Sequence, residues 1–111
     1  MAENTQVVPT TKVEEWLPSE LTTTVVVPTP ETHVSILDDK AILLNLDTGV
    51  YHALNAVGTT IWEQFSSDRT LDAIHRAVCE RYEVTEDAAQ DDLIELVARL
   101  YYAGLIQFEK K

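Results

Sequence analysis

Beyond residue 31 the apolar residues fall first into short alternating runs and then into helical stripes. His33-Val34-Ser35-Ile36-Leu37 is a strand candidate, Asp38-Asp39-Lys40 a turn, and Ala41 to Leu46 a second, mostly apolar strand. Asp47-Thr48-Gly49 supplies a short loop with glycine where a positive φ is wanted, and Val50-Tyr51-His52-Ala53-Leu54 forms a third strand. Tight loops make the three an antiparallel meander. A sheet this small must be covered on one face to be stable.

The cover follows directly. Asn55 is a good N-cap, with Val57, Ile61 and Phe65 at helical spacing and Trp62 beside them. Ser66-Ser67-Asp68-Arg69 breaks this helix, and Thr70 caps a second whose apolar face is Leu71, Ile74, Val78 and Tyr82. Thr85 begins a third, with Glu86 and Asp87 in the first turn, where negative charge suits the helix dipole. It ends at Gly104, suited to a left-handed C′ position, with Leu105 and Ile106 packing back. The predicted fold class is α+β, a three-stranded antiparallel sheet followed by three helices.

The third helix is apolar over a wide arc. Leu93, Val97 and Leu100 make one stripe; Ala89, Leu96 and Ala103 lie on one flank, and Ile94, Tyr101 and Tyr102 extend the other. Burial by neighbours on several sides explains such an arc. So does an apolar flank that lines a groove, and beside a sheet edge a groove is a ready site for an added strand.

All four prolines (Pro9, Pro18, Pro28 and Pro30) and most threonines precede residue 32. Proline removes donors and restricts its predecessor, so residues 1–31 are read as a flexible Pro/Thr-rich tail and residues 32–108 as the domain. Within the tail, Val13-Glu14-Glu15-Trp16-Leu17 is expected to expose an aromatic and aliphatic pair, and Val25-Val26-Val27 is a short β-prone run. The alternative is that part of the tail docks on a sheet edge of the same molecule or of a second one, which would give a homodimer through tail or edge strand.

Composition narrows the function classes. At 111 residues and 45% hydrophobic content, the chain can form one core without metal or disulfide support. No apolar run approaches the roughly 18 residues of a membrane span, and Met1-Ala2-Glu3-Asn4 lacks signal-peptide character, so a cytoplasmic protein with no membrane partner is expected. Cys79 is the only cysteine, which fits a reducing compartment. The formal charge of −11 repels a phosphate backbone and argues against nucleic acid as a partner.

Catalytic motifs are missing. There is no nucleophile-elbow, Walker, Rossmann or zincin pattern, and three glycines leave little scope for a phosphate-cradling loop. His75 and Cys79 lie four apart on one helix, but two ligands do not make a zinc site, and His33 and His52 have no spacing that brings them together. Asp91 and Asp92 are adjacent on a helix and point in different directions. Tyr51 reads as a sheet-face residue and Trp62 as core. No catalytic residue, metal or cofactor is expected.

The order of local signatures carries a resemblance. Leu43-Leu44-Asn45-Leu46-Asp47-Thr48-Gly49-Val50-Tyr51-His52-Ala53-Leu54-Asn55, then Gly58, Ile61-Trp62, Arg69-Thr70, Tyr82, Asp92-Leu93, Leu100 and Gly104-Leu105 resemble the PqqD family, the peptide-recognition elements of ribosomally made, post-translationally modified peptide pathways. The likeness covers roughly residues 33–107, and the Asp-Thr-Gly-Val-Tyr variant is similar to free-standing lasso-peptide recognition proteins. It implies a winged-helix-like module without DNA-binding function. It also implies that a precursor's leader peptide adds as an antiparallel strand to the third strand, beside the third helix, for delivery to a processing or modifying enzyme. Carried over, the receiving edge is Val50, Tyr51, His52, Ala53 and Leu54, and the cleft wall comes from Ala89, Asp92, Leu93, Leu96, Arg99 and Leu100. The family likeness does not settle which flank of the helix faces outward. Competing readings are a winged-helix transcription-associated regulator and a small dimerisation scaffold.

Overall fold

The structure, a computed structural model, describes residues 5–111; the start Met1 to Asn4 lies outside them. In chain order the elements are β1 (Thr5–Val7), a short helix α1 (Val13–Trp16) continuing into a 3-10 turn (Leu17–Ser19), β2 (Thr24–Pro28), β3 (Thr32–Leu37), β4 (Lys40–Asn45) and β5 (Tyr51–Leu54). Then come α2 (Ala56–Gln64), a 3-10 turn (Phe65–Ser67), α3 (Leu71–Arg81), α4 (Glu86–Tyr102) and β6 (Ile106–Lys110).

The expected meander is the antiparallel sheet β3-β4-β5. Asp38, at φ 59, turns the chain between β3 and β4, where Leu37 pairs with Lys40. A left-handed residue in a two-residue connection matches the twist of the flanking strands, and aspartate tolerates that conformation. Gly49 takes the positive φ in the next loop, at 76°. The three helices that follow have the expected caps. Asn55 Oδ1 accepts from the Gly58 N–H at 2.8 Å, and the Thr70 and Thr85 hydroxyls accept from the Ala73 and Ala88 N–H groups. Each satisfies a donor that a helix start leaves without an intrahelical partner.

Residues 5–31 correct the expectation of a flexible tail. β1 and β2 flank β6 in a second antiparallel sheet, with Val26 opposite Phe108 and Val7 opposite the same residue on the other side. Val13, Leu17, Leu21, Val25 and Val26 are all buried, so this segment belongs to the core of the domain assigned to residues 32–108. Leu17 is fully buried rather than exposed, and Trp16 packs against the Phe108 ring with 5.4 Å between centroids. The physical reason is that Pro28 sits at the last position of β2 and Pro18 in a 3-10 turn, both places that tolerate a missing N–H. The Glu20–Lys110 ion pair joins the same two regions, as does the Lys111 N–H, which donates to the Thr23 carbonyl at 2.9 Å.

α4 runs through the middle of the molecule. Its Leu93, Ile94, Val97 and Leu100 are buried in the core, and Tyr101 packs against that core. Tyr101 stacks on Phe108, and the Tyr102 hydroxyl accepts from the Val13 N–H at 3.0 Å. One flank of α4 is thus covered by the N-terminal segment and β6.

Candidate functional site

The uncovered flank of α4 faces β5. In the sheet β3-β4-β5, β5 pairs only with β4, so its other edge carries no strand. The Asn45 N–H donates to the Val50 carbonyl at 2.9 Å. Antiparallel ladders alternate with period two, so His52 and Leu54 direct their backbone groups to β4 while the N–H and C=O of Tyr51 and Ala53 point to the vacant side. These outward groups are a template for another chain.

Side chains alternate in the opposite sense. Leu54 is buried under the helices and His52 half-buried, whereas Tyr51 is 70% exposed on the outer face of the sheet. Beside this edge lies a cleft of about 350 Å³. Ala53, Leu54 and Asn55 form one side and Ala89, Asp92, Leu96 and Arg99 of α4 the other. Val57, Gly58 and Ile61 of α2, together with Val78, Tyr82 and Val84 at and beyond the end of α3, close the far end. The lining is mainly aliphatic, with charge confined to Asp92, Glu95 and Arg99 of α4. A trough in which aliphatic side chains are interspersed with polar groups can take side-chain anchors.

Several contacts fix the width of the cleft. Asn45 is 4% exposed; its Nδ2 donates to the carbonyls of Ala103 and Gly104 at 3.1 and 3.3 Å, and its Oδ1 accepts from the Asp47 and Thr48 N–H groups. It thereby ties the loop that launches β5 to the end of α4. Gly104, at φ 73, has no room for a side chain, since a Cβ there would lie 2.7 Å from Asn45 Nδ2. At the far end the Thr60 hydroxyl donates to the Ala56 carbonyl and accepts from the Tyr82 hydroxyl at 3.0 Å, which holds the Tyr82 ring in the wall. Thr59 Oγ1 accepts from the Ala41 N–H at 2.9 Å and seats α2 against β4.

The expected site residues separate into three groups. Ala53, Leu54, Ala89, Asp92, Leu96 and Arg99 line the cleft. Val50, Tyr51 and His52 belong to the edge beside it; burial and the nearby Arg99 guanidinium push the His52 imidazole below its ordinary value of 6.5. Leu93 and Leu100 are corrections. They are fully buried because they share the helix face turned to the core, roughly 70° around the helix from the mean direction of Ala89, Asp92, Leu96 and Arg99. The flank left open in the sequence is therefore the one bearing Ala89 and Leu96. Helical spacing alone places Val57, Ile61, Val78 and Tyr82 on the apolar faces of two helices, and only the meeting of three helices reveals their cleft side.

The other chemical candidates do not converge. His75 Nε2 donates to the Glu86 carbonyl at 2.8 Å, pinning α3 to the first turn of α4, and Cys79 Sγ lies 3.7 Å from the same nitrogen. Among the described residues no group of three or more His, Cys, Asp and Glu is placed to hold a metal ion. No helix among them is long and apolar enough to cross a membrane.

The family model of PqqD, described as coenzyme PQQ synthesis protein D, matches residues 40–106, more than half of the chain. The chain belongs to the PqqD family. Among solved structures, this PqqD-family protein is similar to TbiB1 in complex with the TbiA(beta) leader peptide, at 29% identity and a TM-score of 0.68, over 71% of this chain and 92% of that one. It is also similar to a lasso peptide synthetase B1 complexed with the leader peptide, at 25% identity and a TM-score of 0.67, over 73% of this chain and 95% of that one. No curated protein matches the sequence.

Proposed function

We propose that this PqqD-family protein binds the leader segment of a ribosomally made precursor peptide as an added strand on β5 and presents it to a processing or modifying enzyme. The observation that carries the reading is the juxtaposition of a vacant strand edge with the apolar cleft along α4. The two similar solved structures, each of a protein with a leader peptide, support the ligand class.

Capture is physical rather than chemical. Backbone pairing with Tyr51 and Ala53 contributes about 0.5–1.5 kcal/mol per hydrogen bond with little sequence preference. Selectivity comes from side chains that enter the cleft beside Leu54, Val57 and Leu96. Ordering a flexible peptide opposes binding, so affinity depends on these anchors. Once the leader is held, the rest of the precursor stays at high effective concentration near any enzyme docked on the complex.

The test uses synthetic leader regions of short peptides encoded beside this gene, titrated by fluorescence anisotropy into wild type and Ala53→Pro. Proline at Ala53 removes an outward donor and leaves the β4 ladder intact, so affinity should fall roughly ten-fold or more with an unchanged melting transition. Equal affinity in the two proteins contradicts strand addition at this edge.

A further inference from the structure

We infer that Asp92 is a specificity-determining residue that selects a lysine or arginine in the N-terminal half of the bound peptide strand. The inference rests on strand capture at β5 and adds to it the charge that the guest must carry.

The cleft holds three charged side chains, and two of them neutralise each other. Arg99 pairs with Glu95 at 2.7 Å, one helical turn apart, just as Arg76 pairs with Asp72 on α3. Asp92 has no such partner. The residue one turn onward is Leu96 and the one a turn back is Ala88, and among the described residues no hydrogen bond or ion pair engages its carboxylate. The Arg81 guanidinium, at the end of α3, sits 5.6 Å over the Tyr82 ring. An uncompensated carboxylate therefore stands on the wall of a mainly aliphatic cleft.

A peptide that covers this wall displaces water from the carboxylate, and burying an unpaired charge is unfavourable. A guest ammonium or guanidinium replaces the lost hydration, and its methylene stem can lie along Ala89 and Leu96. Direction follows from geometry. Arg99 lies at the His52 end of β5, so Asp92, two turns earlier on α4, lies toward Leu54 and Asn55. An antiparallel guest has its N-terminal half at that end. The opposite end, beside Arg99 and its Glu95 partner, is close to neutral and imposes no comparable demand.

The experiment is selection of a random-sequence peptide display library on the intact wild-type protein and on Asp92→Lys, Asp92→Asn and Asp91→Lys. Asp91 is exposed and off the cleft, so Asp91→Lys matches the net charge of Asp92→Lys without touching the wall. Wild type and Asp91→Lys should enrich peptides with Lys or Arg at one position N-terminal to the apolar anchors. Asp92→Asn should lose that preference and Asp92→Lys should exclude it. For a selected peptide, replacing that basic residue by alanine should weaken wild-type binding roughly three- to ten-fold, between the values of an exposed and a desolvated ion pair. Equal basic enrichment for Asp91→Lys and Asp92→Lys, or an even spread of basic residues along wild-type peptides, overturns the assignment while leaving strand capture standing. If no sequence is enriched on any of the proteins, strand capture itself fails and the assignment falls with it.

Discussion

The molecule contains two three-stranded antiparallel sheets of similar length, and they are finished in opposite ways. In β1-β6-β2 the C-terminal strand is flanked on both sides by N-terminal strands, and Thr24, Val25 and Val26 of β2 are buried in succession. In β3-β4-β5 the last strand has one buried residue out of four and a free edge beside a cleft. The first sheet closes the core with the chain's own ends. The second keeps backbone groups and apolar surface available beside the outer flank of α4.

The largest way to break this contrast is to remove the closing segment. Deleting residues 1–31 strips two strands and the buried Val13, Leu17, Leu21, Val25 and Val26, and the cooperative melting transition should disappear. The single change Leu17→Ala should cost about 2–5 kcal/mol in urea unfolding, with peptide affinity preserved wherever the protein remains folded. A truncated protein that melts like the full chain would mean the first sheet is dispensable.

Asn45 lies between the two regions, and its replacement should register in both. Asn45→Ala leaves the carbonyls of Ala103 and Gly104 and the N–H groups of Asp47 and Thr48 without their side-chain partner, an expected loss of about 1–3 kcal/mol. Because the same contacts set β5 against α4, peptide affinity should fall in samples that are still fully folded. A stability loss with unaltered affinity would separate the latch from the cleft.

The smallest expected effect is a pH dependence confined to the open edge. Burial and Arg99 hold the His52 imidazole below 6.5, so the folded protein binds this proton less readily than the unfolded chain does. His52 is neutral at pH 7, and as pH falls through 6.5 the unfolded chain takes up the proton first, which lowers stability. Comparing melting temperatures at pH 7.5 and 5.5, wild type should lose slightly more than His52→Gln, with carboxylate effects common to both. Identical losses would show that His52 does not contribute.

What was legible in the sequence was what is locally determined. Asn55, Thr70 and Thr85 cap helices through bonds to residues three positions on, and Gly49 and Gly104 mark turns by their own backbone conformation. Order alone gives a meander with a one-neighbour strand at each end, and the resemblance to the PqqD family selects the third strand of the two. The first sheet was not legible. Pairing of Val26 with Phe108 joins distant parts of the chain, and the prolines around the β-prone valine run argue locally against a paired strand. The cleft was half legible for a related reason. Helical spacing groups Ala89 and Leu96 on one flank and the family resemblance adds Asp92 and Arg99, but neither shows that Val57, Ile61 and Tyr82 approach them from two other helices, nor that Leu93 and Leu100 turn inward.

The most direct measurement of strand capture is residue-resolved amide hydrogen exchange with and without a bound leader peptide. If the guest pairs with β5, the Tyr51 and Ala53 amides, which point away from β4, should gain protection, while those of β6, already paired on both sides, should not change. Saturating binding that leaves Tyr51 and Ala53 exchanging at their free rates would contradict the account.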